Sequence, residues 1–434
     1  MQKKKILFIH PFLPYPMLSG GHQALFNGIV AVKDDYDVTL TFEGDNTPEM
    51  QKNIEDFQKV MSNVKLCPLL REVKSAHIPS WKEHVVYIKI RNRYYSLLNC
   101  FKKIIDAKVQ LNNGNGGKKL DLTSNWESTV VPSANVWIEH LYKITRERKY
   151  DIIQIEMPWH INDILAMPEG VKVIHVHHEL GFVRRELEMN NYVGNHFYEV
   201  RKKFADFNEI GMLNMYDAVV TLSSIDAKKL ENKGVKVPVY NSFATITSST
   251  EIDKCQGSGK RLTFIGFGNH GPNSEGIKWF LENCWDKLKK LDSEYTLDII
   301  GSWNDDVIAQ YTMKYSGVTF LGFVDDLYAA IKDSVMIVPI TIGSGIRMKI
   351  LEAASKGIPF VSTIVGAEGI PVTNGKDCFL TDNPDIFVED IIKLQDLNLR
   401  NSFVHAAHQM VLKEYSIEAL RKNRLEIYNN VLAL

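Results

Sequence analysis

The sequence predicts an α/β protein made of two doubly wound parallel sheets facing each other across a cleft. Three observations predict it. Short apolar, β-rich runs alternate with helical stretches in both halves of the 434 residues. The runs are nearly continuous rather than alternating, as expected of parallel strands covered on both faces. A polar stretch, "TITSSTEIDKCQGSGK" (245–260), separates the halves and reads as a linker.

In chain order, "KILFIH" supplies a first strand over Ile6 to Ile9. A loop carrying Gly20 and Gly21 follows, then a helix from about Gln23 to Val32, then the strand "YDVTLTF". Residues 68–135 interrupt the alternation and read as an insertion. Within it "NNGNGGKK" (112–119) is a flexible loop by composition. The basic and aromatic stretch 81–108 is either a solvated helical face or a peripheral contact with anionic lipid. Strands resume with "YDIIQIE", "VKVIHV" and "YDAVVTL". After the linker come "RLTFIGF", a helix over 274–290, "YTLDIIG", "VTFLGF", a helix over 325–332, "SVMIVPI", a helix from about Ile346 to Lys356, "PFVST" and "DCFL". The predicted units are therefore 1–244, the linker, 261–414, and a terminal helix in 415–434 that is free to pack back on the first unit.

Composition limits the function classes. The chain is 45% hydrophobic and 24% charged with a formal net charge of -1, so no global basic excess points to nucleic acid. Five scattered cysteines without a CxxC pair argue against a disulfide framework or zinc site and for a reducing compartment. No run of about 18 apolar residues predicts a membrane-spanning helix. The apolar start is broken by His10 and Pro11 with no small-residue cleavage site, which favours a strand over a signal peptide.

The chemistry concentrates in "GSGIRMKILEAASKGIPF" (343–360). A loop with Ser344 and Gly345 leads into a helix whose first N–H groups lack partners, a setting suited to phosphate. Arg347 and Lys349 add positive charge, and Glu352 suits sugar hydroxyls better than phosphate. A nucleoside diphosphate at the loop with its ribose near Glu352 fits this pattern. The competing reading is an ordinary solvated face with a Lys349–Glu352 ion pair at i,i+3. Gly357 suits a left-handed helix end, and Pro359 stops continuation.

Four further features bear on the site. Gly20 and Gly21 fit a loop whose backbone approaches a ligand, or a simple turn. His177 follows a strand beside His175 and His178; these give at most two ligands on one strand face, too few for zinc. Glu368 in "VGAEGI" follows a strand at the same sheet edge and is a further hydroxyl contact or a solvated carboxylate. "GFGNHG" (266–271) fits GxGxxG, yet Asp298 is mid-strand and Pro272 sits at the helix start, which weakens a nicotinamide enzyme. The pairs Asp305–Asp306 and Asp325–Asp326 read as helix starts.

The run "VTFLGFVDDL…SVMIVPITIGSGIRMKILEAASKGIPFVSTIVGAEGI" closely resembles the C-terminal half of glycosyltransferase family 4, whose fold is GT-B. "FIGFGNHGPNSEGIKWFLENCW" resembles the PN…WF signature of one bacterial branch, and "PFLPYPMLSGGHQ" and "HVHHE" look like the same family more diffusely. The resemblance implies metal-independent, retaining transfer from a UDP- or GDP-type sugar, with no cofactor, to an acceptor hydroxyl. It implies a glycan or lipid-linked acceptor on the first domain and a cytoplasmic setting, peripheral to the inner membrane face if 81–108 makes contact. The family's two glutamates stand eight positions apart. Glu352 matches the second, which holds the donor ribose; Ser344 stands where the first would be, and "GSGxRxKxLE" is a variant form. A histidine at His177 is implied at the donor sugar or reacting centre. The usual Arg and Lys after the first strand of the second domain are not evident near "GFGNHG", and we read Arg347 and Lys349 as their replacements. The alternatives are a non-catalytic sugar-nucleotide binder and, more remotely, an NAD-linked oxidoreductase.

Overall fold

The computed structural model describes residues 3–17, 19–72, 133–189, 196–243, 245–246, 251–343 and 345–434. Most of the predicted insertion, all of 81–108, and Ser344 lie outside the described residues.

The first domain runs β1 (Lys5–Ile9), α1 (Gly20–Val30), β2 (Asp37–Thr41), β3 (Glu43–Asp45), α2 (Pro48–Val60), β4 (Lys65–Leu66), β5 (Leu69–Arg71), α3 (Asn135–Glu147), β6 (Ile152–Glu156), a 3-10 segment (Pro158–Ala166), β7 (Lys172–His177), α4 (Gly181–Met189), α5 (His196–Leu213), β8 (Ala218–Thr221), α6 (Ser224–Lys233) and β9 (Val239–Asn241). Its main sheet has the order β4-β2-β1-β6-β7-β8-β9, with every pair parallel. Strand β1 shows why its sequence is apolar from Ile6 to Ile9. Ile6 and Phe8 pack on one side of the sheet with Ile29 and Tyr428, while Leu7 and Ile9 pack on the other with Trp137 and Leu141. Burial on both faces leaves these four no polar position; only Lys5, at the partly exposed start, is polar.

The second domain runs β10 (Arg261–Ile265), α7 (Gly271–Phe280), a π turn (Leu281–Trp285) continuing into α8 (Asp286–Leu291), β11 (Thr296–Ile300), α9 (Asp305–Lys314), β12 (Val318–Gly322), α10 (Leu327–Ile331), β13 (Val335–Val338), α11 (Met348–Ser355), β14 (Phe360–Ser362), β15 (Phe379–Leu380), α12 (Pro384–Lys393) and α13 (Leu397–Glu414). Its sheet order is β12-β11-β10-β13-β14-β15, again parallel. In each sheet the order reverses beside the first strand, between β1 and β6 and between β10 and β13. Such switch points open a crevice at the carboxyl ends of the strands.

The last helix, α14 (Ile417–Ala433), returns to the first domain. Leu420, Ile427, Tyr428 and Val431 join its core, Tyr428 Oη donates to Gln154, and Arg421 forks onto Asp35 at 2.6 and 2.8 Å. The chain therefore crosses between domains twice. Thr245 Oγ1 donates to the Tyr415 carbonyl where the two crossings touch.

Three helix starts differ from the sequence expectation. Helix α1 begins at Gly20 because the Ser19 side chain accepts from the His22 N–H and caps it. Helix α7 begins at Gly271 and carries Pro272 in its first turn, where the missing N–H costs nothing. Helix α11 begins at Met348, not Ile346, with Arg347 at the N-cap. Gly343 (φ 123°) and Gly345 (φ 79°) hold the preceding loop in conformations no helix shares.

Candidate functional site

The carboxyl ends of the two sheets meet. Gly20, in the first turn of α1, lies against Met348, in the first turn of α11; a Cβ at Gly20 would stand 2.7 Å from Met348 Cγ. The Gly20–Gly21 pair is thus not the loop the sequence suggested but a helix start. Gly345 meets the loop after β7: a Cβ there would stand 2.8 Å from the His178 carbonyl oxygen. Lys229 of α6 pairs with Glu368 at 2.9 Å. A shallow depression lined by Asp253, Tyr328, Asp333 and Pro359 lies elsewhere, at the amino ends of β13 and β14.

Arg347, Lys349 and Glu352 all sit at this boundary, but they do not form the solvated face of the competing reading. Lys349 Nζ donates to Asn273 Oδ1 at 2.8 Å and stands 4.0 Å from the Phe264 ring centroid. Burial, followed by the nearby Arg347 charge, holds its pKa well below the ordinary lysine value. The residue as a whole keeps some solvent contact; it is the ammonium that is desolvated. Arg347 Nη1 donates to the Gly345 carbonyl at 2.7 Å, and its guanidinium lies under Gly343. Burial lowers its pKa, partly offset by the charges of Glu179, Glu368 and Asp226. Glu352, 7% exposed, accepts from Gln23 Nε2 at 2.7 Å. The expected Lys349–Glu352 contact is replaced by two divergent ones, to α7 and to α1.

Residues that sequence reasoning passed over complete the cluster. Asn273 steadies Lys349 and donates to the Phe267 carbonyl at 3.0 Å. His270, at the N-cap of α7, is pushed down to about 4 by burial and by the charges of Lys349, Arg184 and Arg347, so it is neutral at pH 7. Arg184, on α4, brings a cation from the other domain, 3.9 Å from Glu179. The "PN" string contains Asn273 and "GFGNHG" contains His270, while Arg184 lies past "HVHHE"; only the fold joins them.

His177, which the resemblance implies at the donor sugar or reacting centre, has a fully buried side chain. Its Nδ1 bonds His175 Nε2 at 3.0 Å and its Nε2 bonds Glu209 at 2.9 Å. Glu209 also receives Arg185, which pairs with Asp206 at 2.7 Å. Burial would raise the Glu209 pKa, but the His177 hydrogen bond and the His177 and Arg185 charges bring it below the usual value. The alternation of β7 explains the outcome: His175 and His177 point into one layer, whereas the ring of His178, just past the strand, pairs with Glu156 at 2.6 Å. Among the described residues no group of three or more His, Cys, Asp or Glu is placed to hold a metal ion. Asp298 pairs with Arg261 at 2.8 Å inside the sheet, not at a strand end where a dinucleotide ribose would lie.

The architecture matches solved structures along nearly its whole length. Sucrose-phosphate synthase from Thermosynechococcus elongatus superimposes with a TM-score of 0.67 at 13% identity, covering 99% of this chain and 100% of the other. A TarM variant of S. aureus, solved with fondaparinux, alpha-GlcNAc-glycerol and UDP, gives 0.66 at 13% identity, covering 98% and 100%. The fold is GT-B. Residues 259–396, which span most of the second domain, match the family model described as Glycosyl transferases group 1. An uncharacterized 44.6 kDa protein in the cps region of Klebsiella pneumoniae is 22% identical over 265 residues, 58% of this chain and 67% of its own length. Among the described residues no helix is long and apolar enough to cross a membrane.

Proposed function

We propose that this chain is a retaining, metal-independent glycosyltransferase that moves a sugar from a nucleotide-diphosphate donor to an acceptor hydroxyl. One observation carries it. Among the described residues the Lys349 ammonium contacts an amide oxygen and an aromatic face and has no carboxylate partner. A desolvated cation without a counter-ion, at the meeting of helix starts α1, α7 and α11, calls for an anion. A diphosphate supplies it, bound by Lys349, Arg347 and the N–H groups around Gly345, with Glu352 placed for ribose hydroxyls. The UDP in the TarM complex and the match over 259–396 support this class of donor.

Transfer with retention places the acceptor oxygen on the face the diphosphate leaves. The bond from the sugar anomeric carbon to the phosphate oxygen breaks, the acceptor oxygen bonds that carbon, and the acceptor proton passes to the departing phosphate. The protein's contribution is orientation and neutralisation of the leaving group. The acceptor lies on the first domain and is a glycan or lipid-linked glycan. The cps-region relative supports a polysaccharide setting, and we place the enzyme in the cytoplasm, peripheral to the inner membrane face if 81–108 makes contact.

A thermal-shift panel of nucleoside diphosphates and their sugars tests the donor assignment, since a ligand of the folded state raises the melting temperature. Stabilisation by one nucleoside diphosphate and its sugar is expected; none across the UDP and GDP series sinks it. Release of nucleoside diphosphate from the stabilising sugar nucleotide then separates an enzyme from a binding protein.

A further inference from the structure

The proposed ribose carboxylate already carries a hydrogen bond. Gln23 Nε2 donates to Glu352 Oε1 at 2.7 Å across 329 positions of sequence and from one domain to the other. We propose that Gln23 is a built-in competitor for the donor: its amide holds the position of a ribose hydroxyl on Glu352, and nucleotide binding exchanges one for the other. The inference rests on Glu352 as the ribose acceptor.

The chemistry of the two donors is alike. An amide N–H and a ribose O–H each give one hydrogen to a carboxylate oxygen, at distances that differ by only about 0.2 Å. Glu352 is buried, so an unfilled oxygen is costly, and Gln23 removes that cost. The exchange needs little motion of the backbone. Gln23 lies in the first turn of α1, one turn along from the Ser19 cap, and that turn is fixed independently by Ser19 with His22 and by Gly20 against Met348. Only the flexible Gln23 side chain has to turn aside. A ligand that must displace an internal occupant binds more weakly by the reciprocal of the fraction of time the site is free. Gln23 therefore sets donor affinity and links it to the contact between domains.

Calorimetric titration of UDP, or of GDP if the panel selects it, into the full chain tests this. Gln23→Ala and the apolar near-isostere Gln23→Met are both expected to bind about 3- to 10-fold tighter than the unaltered protein. Glu352→Ala is expected to bind more weakly, and Gln23→Ala added to it is expected to change nothing further, because the competed carboxylate is gone. Unchanged or weaker binding by both Gln23 variants, with Glu352→Ala still weakened, overturns the competition and leaves the ribose assignment standing. Unaltered binding by Glu352→Ala overturns both. The second Gln23 variant guards against misfolding, since Met keeps the side-chain volume.

Discussion

Glu352 accepts from Gln23 at 2.7 Å, while Lys349, three residues earlier on the same helix start, donates to Asn273 at 2.8 Å. Two side chains that helical spacing makes neighbours are thus drawn to opposite walls of the cleft. The carboxylate belongs to the boundary with the first domain and the ammonium to the floor of the second. This separation keeps Glu352 from neutralising the ammonium that the proposed function assigns to phosphate.

Glu352→Ala should weaken nucleoside diphosphate binding by about 10- to 100-fold, the range for hydrogen bonds to a charged acceptor. Titration calorimetry measures it. Unchanged affinity would remove ribose from this position.

Lys349 is held below its ordinary pKa by burial and by Arg347. Its native pKa is depressed, so the unfolded chain binds the extra proton and stability from this group increases as pH rises. A bound diphosphate reverses the balance by favouring the charged ammonium, so binding should take up protons and weaken as pH rises. Calorimetry in two buffers of different ionisation enthalpy reads the uptake. Lys349→Met should abolish it and lower turnover by roughly 10²–10³. Equal uptake in the variant would place the proton elsewhere.

Gly345 combines a φ of 79° with a Cβ position 2.8 Å from the His178 carbonyl. Gly345→Ala should strain the loop by more than about 1 kcal/mol and push the two domains apart. Weaker nucleotide binding with a modest loss of melting temperature is expected; wild-type values in both would show that the loop absorbs a methyl group freely.

The network His175–His177–Glu209–Arg185 is structural on its geometry. Glu209→Ala leaves the Arg185 charge buried without this partner and should cost about 3–5 kcal/mol of stability. Chemical denaturation reads this directly. A variant that unfolds normally yet loses catalytic turnover would return His177 to the reacting centre.

His10, fully buried after β1, has a pKa pushed down to about 4 by burial, with Glu156 opposing and His178 and His160 adding to it. A depressed histidine pKa means that the unfolded chain takes up the proton first. The stability it protects is complete above about pH 6.5 and is lost as pH falls toward 4, amounting to roughly 3 kcal/mol. His10→Phe should flatten the pH dependence of urea unfolding in that window by about one proton. An identical slope would assign it to other groups, His270 first among them.

The near-continuous apolar runs made the two parallel sheets legible, because strands buried on both faces are apolar at most positions. The β10–β15 unit was plain from the same pattern. Helix starts were less so. Gly20 and Gly21 suit a loop by residue type, yet the Ser19 side chain caps α1 there; Arg347 suits a helix, yet two positive-φ glycines hold it outside α11. Such starts turn on one or two dihedral angles, which residue type only biases.

The sequence by itself determined the class of the fold and the segment, 343–360, where cationic and acidic side chains gather at a helix start. Periodicity and local chemistry are short-range properties, readable from neighbouring residues. Only the tertiary structure decided who partners whom: Gln23 with Glu352, Asn273 with Lys349, Glu209 with His177. Those pairings span 329, 76 and 32 positions. The first joins the carboxyl edges of the two sheets and the other two form within one domain; in each, burial makes an unpaired polar group costly and selects a partner within reach, whatever its distance along the chain.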